Sequence, residues 1–155
     1  LAVSIYTKRR ILKESWLPIL VGCTVGCLAS MGSVLVMCHL FGLDEAMTAS
    51  LTPKSVTTAI SMDVAAELGG IAALTGAIVI LTGIAGNLLA ETVCKVFHIT
   101  DPIAKGVGIG TSAHAVGTSK ALQMGEVEGA MSGLSIAVAG VLTAVLCPVF
   151  VNFIG

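Results

Sequence analysis

Three long apolar runs restrict this chain to a membrane-embedded fold. They cover residues 17–41, 71–94 and 129–154. A helix that crosses the hydrocarbon core of a bilayer needs about 20 apolar residues, and each run reaches that length. The first and third runs contain no charged residue, and the second is interrupted only by Asn87 and Glu91. We therefore predict three transmembrane helices within a single integral membrane domain, residues 1–155.

The composition supports this prediction and excludes other classes of protein. Charged residues make up 11% of the chain, whereas soluble domains carry roughly 25%. The net charge of −1 gives no electrostatic basis for binding nucleic acid. The five cysteines lie in or beside apolar runs, without histidines or carboxylates to complete a metal set. No side chains are arranged as a nucleophile beside a base, so we predict no metal, no cofactor and no enzymatic activity.

The distribution of charge predicts how the chain crosses the membrane. Lys8, Arg9, Arg10 and Lys13 precede the first run and favour a cytoplasmic start. Asp44 and Glu45 follow that run, and Lys95 and Lys105 follow the second. The two lysines predict that the chain returns to the cytoplasmic side after the second run. The chain begins Leu1-Ala2-Val3 without an initiating Met, which we interpret as a fragment of a longer membrane protein.

Two further stretches, residues 50–70 and 100–125, are too polar for lipid-facing spans and too apolar for ordinary loops. Each opens with a capping residue before proline, Thr52-Pro53 and Asp101-Pro102, which is typical of a helix start. A lysine follows in each case, Lys54 or Lys105. We predict two re-entrant or broken-helix hairpins. The alternative is two amphipathic helices on the membrane surface, but such helices usually carry more basic residues.

The two hairpins, each followed by a span, form a weak internal repeat. In the second span Gly76 and Gly83 lie seven residues apart, and Gly133 and Gly140 do so in the third. If each hairpin returns to the side from which it entered, the two units have opposite orientations. The predicted fold is thus an all-α membrane protein with three full transmembrane helices and two hairpins in an inverted repeat.

The first hairpin carries residues suited to a small anion. On a helix that begins at Pro53, the side chains of Lys54, Thr57, Thr58 and Ser61 form one polar stripe. A helix N-terminus has roughly half a positive charge and free N–H donors. Together with a lysine and hydroxyl groups, it predicts a site for a carboxylate.

The second hairpin offers a matching polar face. Thr111, His114 and Thr118 share one side of a helix, with Lys120 close by. The alternating glycines at residues 106, 108 and 110 are poor helix formers, and they predict unwound chain beside a solute. Their spacing is not that of a dinucleotide fingerprint. Two helix starts that point inward from opposite sides would bind a small anion between them.

Several of these residues have alternative roles. A histidine at membrane depth is a functional candidate. His114 would relay a proton, donate a hydrogen bond to a substrate or satisfy a neighbouring backbone carbonyl. Lys54 and Lys105 would instead extend to the membrane interface. Asp63 and Glu67 lie one helical turn apart without a basic neighbour, so they need partners or protonation if they lie inside the membrane.

The motifs resemble those of the LrgB/CidB family of bacterial membrane proteins. In the first block they are Pro53-Lys54-Ser55-Val56-Thr57-Thr58 and Glu67-Leu68-Gly69-Gly70-Ile71. In the second they are Asp101-Pro102-Ile103-Ala104-Lys105-Gly106 and the run from Gly110 to Thr118. The resemblance covers nearly the whole chain. Ala59 departs from the family, whose members often have proline after the paired threonines.

The resemblance implies two accounts of function. Bacterial members are described as holin–antiholin-like proteins that affect murein hydrolase activity and autolysis with a small LrgA/CidA-type membrane partner. A plant relative is a glycolate/glycerate translocator, and bacterial relatives are linked to pyruvate. With the anion site predicted above, we favour a transporter of a small monocarboxylate, with the holin–antiholin-like role as the alternative.

The sequence also predicts the location, partners and site residues of the protein. We expect a multi-pass protein of the bacterial inner membrane that forms a homo-oligomer. Its expected partners are the lipid bilayer, a small carboxylate anion and an LrgA/CidA-type membrane protein. The secondary candidates for the site are Lys105, Lys120, Asp63 and Glu67. The predicted substrate-binding residues are Lys54, Ser55, Thr57, Thr58, Thr111, Ser112, His114 and Thr118.

Overall fold

The structure, a computed structural model, describes residues 15–154. Over that range the chain is helical and contains no strand. The elements are α1 (Trp16–Leu40), α2 (Glu45–Leu51), α3 (Thr58–Glu67), α4 (Ala72–Val96), α5 (Pro102–Met124) and α6 (Glu126–Ile154). The basic cluster at residues 8–13 and the first residues of the chain lie outside the described part.

Three of these helices, α1, α4 and α6, are long and apolar enough to span a membrane. This confirms the prediction of three transmembrane helices in an all-α protein. The last helix begins at Glu126, three residues before the predicted apolar run, because Glu126 and Glu128 form its first turn. Negative side chains stabilise that position through the helix dipole.

Hairpin 1, which we define as residues 45–67, consists of α2, a turn at residues 52–57, and α3. It begins five residues before the predicted start at residue 50, because the Asp44 carboxylate caps α2 by accepting a hydrogen bond from the Met47 amide at 2.7 Å. The hairpin is tied to the start of α4. The Ile71 amide donates to the Ser50 hydroxyl at 2.7 Å, and the Thr75 hydroxyl donates to the Ser50 carbonyl at 2.9 Å.

Hairpin 2, which we define as residues 102–124, is helix α5. It starts as predicted, with Pro102 in the first turn and the Asp101 carboxylate accepting from the Ala104 amide at 2.8 Å. The helix breaks at His114, where φ is 40° and ψ is −140°. Two segments flank this break: the first arm ends beside Gly86 of α4, and the second arm returns to Glu91 near the end of α4. The chain thus leaves at the end where it entered.

The two hairpins enter the helix bundle from opposite ends. Hairpin 1 enters where α1 ends and α4 begins, and hairpin 2 where α4 ends and α6 begins. Their tips are interior: Val56 is 1% exposed and His114 is 3% exposed. These buried tips agree with the predicted inverted arrangement and favour it over two surface helices. We call the ends the acidic end (Asp44, Glu45, Glu67) and the lysine end (Lys95, Lys105, Lys120).

The glycine alternation in hairpin 2 does not unwind the chain, and that prediction was wrong. The segment is helical, and the break comes at His114 instead. A Cβ added at Gly106 would lie 2.5 Å from the Glu128 carbonyl oxygen, and one at Gly110 would lie 2.5 Å from the Ser132 carbonyl oxygen. Glycine is therefore required there because the helix packs directly on the backbone of α6.

Candidate functional site

The turn of hairpin 1 corrects the predicted helix start at Pro53. Thr52 ends α2, because both its amide (3.0 Å) and its hydroxyl (2.7 Å) donate to the Thr48 carbonyl. Pro53 has no N–H with which to continue the helix. The next helix begins at Thr58, with Thr57 as its N-cap. The predicted stripe on one helix was therefore wrong: Lys54 lies in the turn, and only Thr58 and Ser61 are helical.

Ser61 has a structural role in this turn. It is fully buried, and its hydroxyl lies 2.7 Å from the Pro53 carbonyl and 3.3 Å from the Val56 carbonyl. These contacts hold the turn against the first residues of α3. They fix the position of Lys54 and Ser55 relative to the helix start.

Lys54 forms a polar cluster with two serines. Its Nζ lies 3.4 Å from the Ser30 Oγ and 3.3 Å from the Ser55 Oγ, and the two hydroxyls bond to each other. The lysine is half-buried, and no carboxylate among the described residues pairs with it. Its ammonium group thus lies against neutral hydroxyls between α1 and hairpin 1. Ser30 was missed because a lone serine in an apolar span carries no sequence signal of its own.

The start of α3 adds further donors beside Lys54. Thr57 is the N-cap but makes no side-chain capping bond, and the first turn contains no acidic residue. The hydroxyls of Thr57 and Thr58, both half-buried, make no hydrogen bond to the residues that the structure describes. The first N–H groups of a helix lack partners within it and carry partial positive charge. This tip therefore presents positive charge and unused donors together.

The polar groups at the tip of hairpin 2 form hydrogen bonds with other groups of the protein. The His114 ring contacts the Val79 carbonyl of α4, with 2.8 Å between Nε2 and the oxygen. Because a carbonyl only accepts, Nε2 is the donor. The Thr118 hydroxyl donates to the His114 carbonyl at 2.9 Å, so the 2.7 Å bond between Thr118 and Ser132 is donated by Ser132. Of the three roles considered for His114, this geometry shows the bond to a backbone carbonyl.

The two tips contact the same face of α4 at different heights. A Cβ at Gly76 would contact the Thr58 side chain at 3.7 Å, and one at Gly83 would lie 2.7 Å from the His114 ring. Gly76, Val79 and Gly83 share one side of the helix, and Gly76 and Val79 are about 4.5 Å apart along its axis. The paired glycines therefore separate the contacts of the two hairpins.

The tips also lie near the middle of the bundle. Ser30, beside Lys54, is ten residues from the end of α1, or about 15 Å along the helix axis. That is half the roughly 30 Å hydrocarbon thickness of a bilayer. The Lys54 ammonium, beside Ser30, thus lies near the middle of α1. The His114 ring lies against Gly83 of α4, less than two turns beyond the Thr58 contact at Gly76.

The remaining predicted site residues lie elsewhere. The Thr111 hydroxyl donates to the Val107 carbonyl at 2.8 Å and packs against Gly26 of α1. Ser112 is exposed and donates to the Gly108 carbonyl at 2.7 Å. Thr118 is buried behind His114. Two lysines at the lysine end, Lys105 and Lys120, line a separate cavity. On α3, Asp63 and Glu67 are exposed.

Comparison with known proteins identifies the family. The LrgB-like family matches residues 1–153. Proteins named antiholin-like protein LrgB, from Bacillus mycoides and Bacillus cereus, are 38% identical over 154 residues, which is 99% of this chain and 67% of each relative. No solved structure matches. The resemblance seen in the sequence motifs is confirmed, and the chain belongs to the LrgB-like family.

Proposed function

We propose that this protein has an antiholin-like function in a bacterial cytoplasmic membrane. The observation that carries the proposal is the match to antiholin-like relatives over 99% of the chain. Three candidate spans agree with a multi-pass membrane protein. The partner we propose is a small holin-like membrane protein of the LrgA/CidA type, and the consequence is control of murein hydrolase activity and autolysis. This ranks the alternative function above the transport function that the sequence favoured.

A vesicle assay tests the antiholin-like function. The full-length protein and an LrgA/CidA-type partner are reconstituted together in dye-loaded vesicles, and leakage is compared with vesicles that hold the partner alone. We expect the full-length protein to reduce leakage without selectivity for the dye. Analytical ultracentrifugation of the same preparation reports whether the protein is a homo-oligomer. Equal leakage with and without the protein would contradict the antiholin-like function.

A second function has a geometric observation in its favour, namely the tip of hairpin 1. There the Lys54 ammonium, the Ser30 and Ser55 hydroxyls and the start of α3 converge near mid-bundle. Hydrogen bonds to a charged acceptor are the strong ones, so a small carboxylate suits this set of donors. We propose that the same protein binds and moves a small monocarboxylate of the pyruvate, glycolate or glycerate class.

An uptake assay separates the two functions. Labelled pyruvate or glycolate is supplied to vesicles that contain the full-length protein, and uptake is measured against unlabelled competitor. Saturable uptake that Lys54→Gln abolishes and Lys54→Arg retains supports transport. Uptake that neither saturates nor responds to competitor contradicts it and leaves the antiholin-like function untouched.

Proton relay by His114 is a further proposal within the transport function. The ring N–H is committed to the Val79 carbonyl in this structure, so relay requires that this bond opens during the cycle. We expect His114→Gln, which keeps a donor but cannot titrate, to retain carboxylate binding and to lose the pH dependence of uptake. An unchanged pH profile would contradict a relay.

A further inference from the structure

A cavity of about 520 Å³ opens at the lysine end, between the end of α4 and the two ends of hairpin 2. Its lining includes Lys95, Lys105 and Lys120, with two carboxylates, Glu91 and Glu128. The tips of the two hairpins lie away from this end of the bundle, toward its interior. This cavity is therefore separate from the site at mid-bundle.

Among the described residues, the charges that line this cavity leave one lysine without a carboxylate partner. Glu91 is shared, since its carboxylate lies 2.9 Å from the Lys120 Nζ and 3.5 Å from the Lys95 Nζ. The Glu128 carboxylate lies against Gly125 at the start of α6. Lys105 pairs with no carboxylate in the described part of the chain. Three lysines against two glutamates leave the cavity positive, with Lys105 available to an anion.

An apolar groove continues from this cavity toward the middle of the bundle. It has a volume of about 330 Å³ and runs between α4 and the first arm of hairpin 2, along Leu89, Val93 and Ile109. Lys105 borders both the cavity and the groove. At Gly108, on the floor of the groove, an added Cβ would meet nothing within 4 Å. A positive cavity and an apolar channel thus form one continuous surface.

We propose that this surface binds one anionic phospholipid, with its phosphate beside Lys105 and Lys120 and an acyl chain along the groove. Charge complementarity supports a phosphate, and the adjoining groove supports a hydrocarbon chain. Basic pockets between membrane helices bind anionic head groups, and the cytoplasmic leaflet supplies them. By the positive-inside rule, the three lysines favour the cytoplasmic side for this end of the bundle.

Lipid retention by the full-length protein tests the proposal directly. The protein is exchanged into mixed micelles of phosphatidylglycerol and phosphatidylcholine, and bound lipid is measured by native mass spectrometry. We expect phosphatidylglycerol to be retained several-fold over phosphatidylcholine, and excess inorganic phosphate to leave it bound. Equal retention of the two lipids overturns the proposal. That result is also expected if another segment of the protein fills the groove, which likewise rules out the lipid site. Displacement by inorganic phosphate would show a site for a soluble anion instead.

Two matched pairs of variants test the two parts of the site. Lys105→Gln should lower phosphatidylglycerol retention about fivefold, the effect of one basic residue near an anionic surface, whereas Lys105→Arg keeps it. Gly108→Leu should fill the groove and lower retention. Gly32→Leu is its control, because Gly32 also has open space but borders an apolar groove on α1 without a lysine. Full retention by Lys105→Gln, or equal retention by the two leucine variants, overturns the proposal.

Discussion

The two hairpins have the same plan but differ at their tips. Hairpin 1 turns through non-helical residues and presents a cation, two unbonded threonine hydroxyls and a helix start. Hairpin 2 turns at a single strained residue, and its polar groups bond to one another, to α4 or to α6. The two hairpins therefore differ in their free donors. Hairpin 1 keeps donors that are available to a ligand, whereas the polar groups of hairpin 2 hold the bundle together.

The largest expected effect tests the tight packing of hairpin 2. Gly110→Val places a side chain where a Cβ would lie 2.5 Å from the Ser132 carbonyl oxygen. We expect a loss of about 3 kcal/mol in the free energy of unfolding, the upper range for overpacking. The measurement is unfolding in mixed micelles, followed by helical circular dichroism. Gly108→Val is the control, since that position is open; equal losses would contradict the packing described here.

The next effect isolates the buried bond of His114. His114→Ala removes the contact with the Val79 carbonyl and should destabilise the protein by about 1–3 kcal/mol. His98→Ala is a matched control because His98 also has a positive φ, of 53°, but its side chain is exposed. The same unfolding measurement applies to both. If the two alanine variants were equally stable, the contact of the His114 ring would not contribute to the free energy of unfolding.

Removal of the Lys54 charge should not destabilise the protein, unlike removal of the His114 ring, because the lysine has no carboxylate partner among the described residues. We expect Lys54→Met to leave the free energy of unfolding unchanged or to raise it by up to about 1 kcal/mol, since a half-buried charge costs desolvation. Carboxylate binding should be lost in the same variant, as measured by calorimetry with pyruvate. A protein that is destabilised but still binds would assign Lys54 to structure instead.

The smallest effect concerns the serine that supports Lys54. Ser30→Ala removes one hydroxyl contact and should weaken carboxylate binding by about 1 kcal/mol, which is roughly fivefold. Ser33→Ala is its control, because Ser33 lies on the same helix, is exposed and bonds only to the Ser30 carbonyl. Equal affinities of the two variants would remove Ser30 from the site.

Much of the fold could be predicted from the sequence because a bilayer imposes simple rules. Apolar runs of sufficient length predicted the three spans. Asp101-Pro102 predicted the start of hairpin 2, because the Asp101 side chain caps that helix. Thr52-Pro53 has the same pattern, yet Thr52 bonds back to Thr48 and ends a helix. Local sequence does not distinguish these cases, since the preceding residues, 45–51, decide whether a helix already exists.

The site was harder to predict than the fold because it depends on contacts between distant segments. Ser30 comes from a different span and reaches Lys54 only after hairpin 1 has packed against α1. The hydroxyls of Thr111 and Ser112 looked available in the sequence, but their own helix uses both. The break at His114 is similar: glycines upstream suggested an unwound segment, whereas packing against α6 keeps that segment helical.

Thiol accessibility tests the difference between the two tips most directly. The five cysteines of this chain are buried, so Thr58→Cys and Thr118→Cys are each introduced into the full-length protein and treated with thiol reagents of opposite charge. We predict that Thr58→Cys reacts, several-fold faster with the anionic reagent, that Lys54→Gln removes this preference, and that Thr118→Cys does not react. Equal reactivity at both positions, or no preference for the anionic reagent at residue 58, would contradict the account.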